Sequence, residues 1–128
     1  MFCKSILIIE DDEDIRSLMA EALTMEEHTV YQAGNGQEAL DFLLSLPEDK
    51  LPGCIILDYM MPIMNGLVFM ETVEKYHKAK LGGIHIILAS AAASLQSSNS
   101  IFKGVARISK PFELDELYGA VEKYCGVN

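Results

Sequence analysis

Positive charge is scarce in this sequence: ten Lys and Arg stand against nineteen Asp and Glu, a formal net charge of −9. A surface of that sign repels phosphate backbones and anionic bilayers, which sets aside direct nucleic-acid binding and attachment to a membrane surface. Cysteine is also sparse. Cys3, Cys54 and Cys125 are odd in number, and no two have the spacing of a zinc knuckle or a redox pair. A disulfide framework is therefore excluded, and a reducing, cytoplasmic setting is expected. No stretch approaches the ~20 apolar residues of a membrane span. The apolar segment after Met1-Phe2-Cys3-Lys4 is too brief for a signal-peptide core and has no small-residue cleavage site. Internal repeats and low-complexity linkers are missing too. What remains is a chain of 128 residues, half of them hydrophobic, with material for one core, so a single domain over residues 1–128 is expected.

Short apolar runs alternate with longer segments of helical period. Ser5 to Ile9, Thr29 to Ala33, Cys54 to Leu57, His85 to Ala89 and Val105 to Ile108 have strand length, and three of them are apolar nearly throughout, as strands covered on both faces are. Between them Ile15, Leu18, Met19, Ala22 and Leu23 share one helical stripe, as do Ala39, Leu40, Leu43 and Leu44, then Val68, Phe69, Val73 and Tyr76, and finally Leu114, Leu117, Val121 and Tyr124. Asn35 with Glu38 has the spacing of a capping box, and Asn65-Gly66 suits a helix start. A further helix is expected over Ala91 to Phe102, a segment rich in Ser and Ala with few large apolar anchors. Five strands, each followed by a helix, predict an α/β fold: a doubly wound, five-stranded parallel sheet with helices on both faces. Ligands in such folds gather beyond the carboxyl ends of the strands.

Those ends carry chemistry. The first strand runs into Glu10-Asp11-Asp12, the third into Asp58, the fourth into Ser90, and the fifth into Lys110-Pro111. Several carboxylates packed in one crevice repel, and a hard divalent ion is the natural counter-charge. Magnesium takes oxygen ligands and uses one or two carboxylates beside a phosphate oxygen. Asp11 and Asp58 can supply carboxylates and the Met60 carbonyl a third oxygen, while Glu10 or Asp12 can hold metal-bound water. Such a set suits phosphoryl transfer, where alignment and charge neutralisation carry the reaction. Asp58 would attack in line, Ser90 would hydrogen-bond a phosphoryl oxygen, and Lys110 would pair with Asp58 beforehand and with the phosphoryl group afterwards. Glu13 and Asp14 read as the solvated first turn of a helix, and His28, His77 and His85 have no ligand spacing.

Four stretches in order, ILIIEDDEDIR, LDYMMPIMNG, ILASA and ISKPF, resemble the CheY-like receiver domains of bacterial two-component response regulators. The resemblance covers the whole chain. It implies a flavodoxin-like sheet of strand order 2-1-3-4-5, Asp58 as phosphoacceptor, and Ser90 and Lys110 as the switch hydroxyl and ammonium. It also implies Mg2+ held by Asp11, Asp58 and the Met60 carbonyl, with Glu10 as the other member of the acidic pair. The implied partners are a sensor histidine kinase or histidine phosphotransfer protein, and a downstream protein reading the face of helix 4 (the segment from Ala91), strand 5 and helix 5. The role is that of a phosphorelay signalling domain, not a turnover enzyme on small substrates.

One departure concerns Arg107, which stands three residues before Lys110 where receivers usually carry an aromatic. Two others concern Met60, two residues after Asp58, and Ala92, two after Ser90: neither has a polar group to position a water, so slow self-dephosphorylation is expected. Phosphohydrolases of the haloacid dehalogenase type use a similar site but carry a second aspartate where Met60 stands, and this chain has no segment long enough for a substrate-covering cap. A receiver that binds partners without phosphorylation is the remaining alternative, and the intact Asp11, Asp58, Ser90 and Lys110 set argues against it.

Overall fold

Strand and helix alternate as expected in the computed structural model, which describes residues 5–61, 63–91 and 105–125. In chain order the elements are β1 (Ser5–Ile9), α1 (Glu13–Met25), β2 (Thr29–Ala33), α2 (Gly36–Ser45), a 3-10 turn (Glu48–Lys50), β3 (Cys54–Asp58), α3 (Gly66–Tyr76), a single turn α4 (Lys78–Leu81), β4 (His85–Ala91), β5 (Ala106–Lys110) and α5 (Leu114–Cys125). The five strands form one sheet in the order β2-β1-β3-β4-β5. Every pairing is parallel. β4 and β5 each run two residues further than the sequence predicts, so Ser90 lies inside a strand. Beyond Ala91, which closes β4, the helix expected to Phe102 lies outside the described residues, as does Ala92.

The near-continuous apolar runs have a simple cause: β1, β3 and β4 each feed two cores. Alternate side chains point to opposite faces of a sheet. Ile6 and Ile8 of β1 and Ile56 of β3 meet Met19 and Leu23 of α1 and Leu117 and Val121 of α5. Leu7, Ile9, Ile55 and Leu57 meet Leu40 and Leu43 of α2 and Phe69 of α3. Burying each such Leu, Ile or Phe contributes about 1.5–3 kcal/mol. The helical stripes prove wider than the sheet can cover. Leu18 is 54 % exposed and Tyr76 66 %, with Leu44 and Val68 also outside the core, because the sheet contacts only the centre of each stripe.

Three side-chain caps start the helices. Asp12 accepts from the Ile15 amide at 3.1 Å, Asn35 from Glu38 at 2.9 Å, and Asn65 from Val68 at 2.9 Å. The capping box is only half formed, since the Glu38 carboxylate takes the Gly34 amide (2.9 Å) instead of returning to Asn35. Two glycines let the β3–α3 turn fold tightly over the sheet end. A Cβ on Gly66 would stand 2.9 Å from Tyr59 Cα, and one on Gly36 would stand 2.9 Å from the Met64 carbonyl. The turn is tied by Gly66 N–H to Tyr59 O (2.8 Å), Gly36 N–H to Met64 O (3.3 Å) and Tyr59 N–H to Ala89 O (3.1 Å).

Candidate functional site

β1, β3, β4 and β5 end side by side, which brings Glu10, Asp58, Ser90 and Lys110 to one edge of the sheet. Three of these polar residues are buried: Glu10 is 2 % exposed, Asp58 4 % and Ser90 1 %. Lys110 Nζ donates to Glu10 Oε1 at 2.6 Å and lies 3.4 Å from Asp58 Oδ1. The lysine expected to pair with Asp58 is thus shared, and Glu10 is its nearer partner. The second Glu10 oxygen accepts from the Asp12 amide at 3.2 Å. Asp12 itself is exposed, and one of its carboxylate oxygens is engaged in capping α1. The Met60 amide donates to Asp58 Oδ1 at 3.4 Å, which fixes the start of the turn carrying the Met60 carbonyl.

Electrostatics at this edge are dominated by the buried carboxylates. Burial first, then the neighbouring Glu10 charge, pushes the Asp58 carboxyl up from 3.8 to about 7, against the opposing pull of Lys110. For Lys110, burial works to lower the ammonium's proton affinity, but its hydrogen bond to Glu10 and the Asp58 and Glu10 charges outweigh it and hold it above its usual range. By contrast, burial pushes the Cys54 thiol to about 12, which leaves it a small hydrophobe with no thiolate chemistry.

Carboxylate oxygens of Glu10, Asp11 and Asp58 all lie within 4.8 Å of one another. An all-oxygen donor set of that charge fits a hard divalent cation. The Ser90 hydroxyl is buried with no hydrogen-bond partner among the described residues, which suits an acceptor oxygen brought by a ligand. Beside Lys110, an apolar groove of about 590 Å³ runs between α1 and the start of α5, lined by Ile15, Leu18, Met19, Phe112 and Leu114 among others. Arg107 is exposed on β5, in register with Leu88 of β4. Arg16 is the site residue that sequence reasoning missed. Its guanidinium donates to the Glu10 carbonyl at 2.8 Å and to Gln32 Oε1 at 3.3 Å, and contacts to a backbone oxygen leave no trace in residue spacing.

Comparison with known proteins identifies the family. The family model described as the response regulator receiver domain matches residues 6–122. Sporulation initiation phosphotransferase F of Bacillus subtilis is 30 % identical over 127 residues, covering 97 % of this chain and 95 % of that protein. The uncharacterized transcriptional regulatory protein YrkP of the same organism is 34 % identical over 116 residues, and there the match spans 91 % of this chain but 47 % of the relative. Among solved structures, response regulator protein TrrA of Thermotoga maritima, crystallised in complex with Mg2+-BeF, superposes with a TM-score of 0.77 at 32 % identity, covering 94 % of this chain and 97 % of that one. The chain belongs to the response regulator receiver domain family, whose members act in two-component phosphorelay signalling. Among the described residues no helix is long and apolar enough to cross a membrane.

Proposed function

We propose that the chain is a single receiver unit in which Asp58 accepts a phosphoryl group from a phosphohistidine on a sensor kinase or phosphotransfer protein. The observation that carries this reading is the buried Asp58 carboxylate bracketed by Lys110 at 3.4 Å and by Glu10 and Asp11. Asp58 attacks phosphorus in line, a P–O bond forms, and the P–N bond breaks with its electron pair returning to the imidazole. Asp58, Asp11 and the Met60 carbonyl would hold Mg2+, with Glu10 in support. When bound, Mg2+ neutralises the carboxylates and the phosphoryl oxygens. That the TrrA protein of T. maritima was crystallised with Mg2+-BeF supports this assignment. Lys110 moves from its shared position between Glu10 and Asp58 to a phosphoryl oxygen, and Ser90 donates its unpartnered hydroxyl to another.

The groove beside Lys110 gives the donor protein an apolar surface next to the reacting atoms. Output passes through the face of β5 and α5, with the expected helix to Phe102 that lies beyond Ala91 and outside the described residues, to a protein partner and without direct nucleic-acid contact. The setting is cytoplasmic, and the domain signals without turning over small substrates. Intact mass after incubation with Mg2+ and acetyl phosphate tests the reading. One phosphoryl group is gained by the native chain, and none by Asp58→Asn or without Mg2+. A folded native chain that gains nothing from acetyl phosphate or from a phosphohistidine donor would leave a non-phosphorylated binding module in its place.

A further inference from the structure

The acidic turn between β1 and α1 presents Asp11, an exposed carboxylate of the candidate metal site. What holds that turn in place is visible in the hydrogen bonds of Glu10. Its amide donates to the Ala33 carbonyl at 3.1 Å, beyond the last register pair of β1 and β2, Ile9 with Ala33. Past this point β2 turns away into α2, whose cap is Asn35, so no strand amide follows to meet the Glu10 carbonyl. Arg16 reaches it instead, at 2.8 Å. The peptide unit is planar, so fixing the Glu10 oxygen also fixes the amide and Cα of Asp11. The guanidinium also donates to Gln32 Oε1 on β2, which ties the side chain to the sheet as well as to α1.

We infer that Arg16 is a positioning residue for metal binding: by clamping the Glu10 carbonyl it aims the Asp11 carboxylate at the cation. The inference rests on the metal reading above and adds to it a residue that touches neither metal nor phosphoryl group. Charge alone argues the opposite sign. Arg16 puts a positive charge beside a cation site, so a purely Coulombic role makes its removal tighten Mg2+ binding. A positioning role makes removal weaken it, as loss of outer partners of metal ligands does by about tenfold or more.

The test is an NMR titration of the chelator-stripped chain with Mg2+, following backbone amides to obtain Kd, beside thermal unfolding in EDTA. Arg16→Met is expected to weaken Mg2+ binding by about tenfold while its unfolding midpoint in EDTA stays near native. Arg16→Lys, which keeps the charge but cannot bridge Glu10 and Gln32 with one planar fork, is expected to fall between the two. Equal or tighter Mg2+ binding by Arg16→Met overturns the inference. Should Arg16→Met fail to fold, Gln32→Leu and Arg16→Lys decide: weaker binding in both supports the clamp, and native affinity in either overturns it. Absence of Mg2+ binding by the native chain would overturn the metal reading itself, and the inference with it.

Discussion

Replacing Asp58 by Asn should make the metal-free protein more stable, and increasingly so as pH rises. In the folded chain, burial and the Glu10 carboxylate hold the Asp58 carboxyl at about 7 instead of 3.8. Between about pH 4 and pH 7 the folded state therefore keeps a proton that the unfolded chain has already released. Stability contributed by that proton is complete below the unfolded value and is lost as pH climbs through the folded one. At about 1.4 kcal/mol per tenfold in proton affinity, the full loss is on the order of 4 kcal/mol. Asp58 is 4 % exposed, so solvent does little to screen it. Asn has nearly the same shape and cannot ionise, and it leaves Lys110 its nearer partner, Glu10 at 2.6 Å. Urea unfolding in EDTA from pH 5 to pH 8 reads the effect as the difference between the two chains, which cancels the titration of groups that do not interact with Asp58. The gap should widen with pH to about 2–4 kcal/mol in favour of Asp58→Asn, and Mg2+ should narrow it by stabilising the native chain. Parallel stability curves across that range would refute the account of a carboxylate kept under electrostatic stress.

Three other outcomes follow from particular contacts. Ser90→Ala removes a buried hydroxyl that has no partner among the described residues; metal-free stability should hold or rise by ~1 kcal/mol, while phosphoryl uptake from acetyl phosphate, measured by mass, slows. Asp12→Ala should cost about 1 kcal/mol in chemical denaturation through loss of the α1 cap, yet leave phosphoryl uptake near native, whereas Asp11→Ala should abolish it. Met60→Asn puts a polar group at the exposed rim beside Asp58 and should shorten the lifetime of the phosphorylated form, followed as loss of mass after donor removal; an unchanged lifetime would show that the apolar rim does not restrain hydrolysis.

Much of the fold was legible because strands buried on both faces leave unbroken runs such as SILII and CIIL, and a parallel sheet is what such runs build. Asp58, Ser90 and Lys110 stood out because each ends or interrupts an apolar run, and their meeting at one sheet edge follows from topology alone. The details that escaped depend on atoms instead of patterns. Leu18 and Tyr76 fit the helical period yet lie outside the core, since period does not report how much of a stripe the sheet can cover. Asp12 was indistinguishable from its acidic neighbours until the backbone showed it capping α1. The closer attachment of Lys110 to Glu10 than to Asp58 turns on a difference of 2.6 against 3.4 Å, and one extra methylene in Glu10 cannot be read as a distance. Arg16 acts on a carbonyl, a group every residue carries.

The β3–α3 turn is pinned at three points, by Gly66 to Tyr59, Gly36 to Met64 and Tyr59 to Ala89. Breaking any of these costs on the order of 1 kcal/mol. Under the phosphoryl transfer proposed for Asp58, the site would have a floor tied by three backbone contacts, facing a Lys110 wall held through a side chain shared between two carboxylates. On that proposal Lys110 would exchange one oxygen partner for another and the Ser90 hydroxyl, unpartnered among the described residues, would gain one, so rearrangement would start on that side. The backbone-tied side would then set where the charge is placed, and the side-chain contacts on β4 and β5 would be the first to register it.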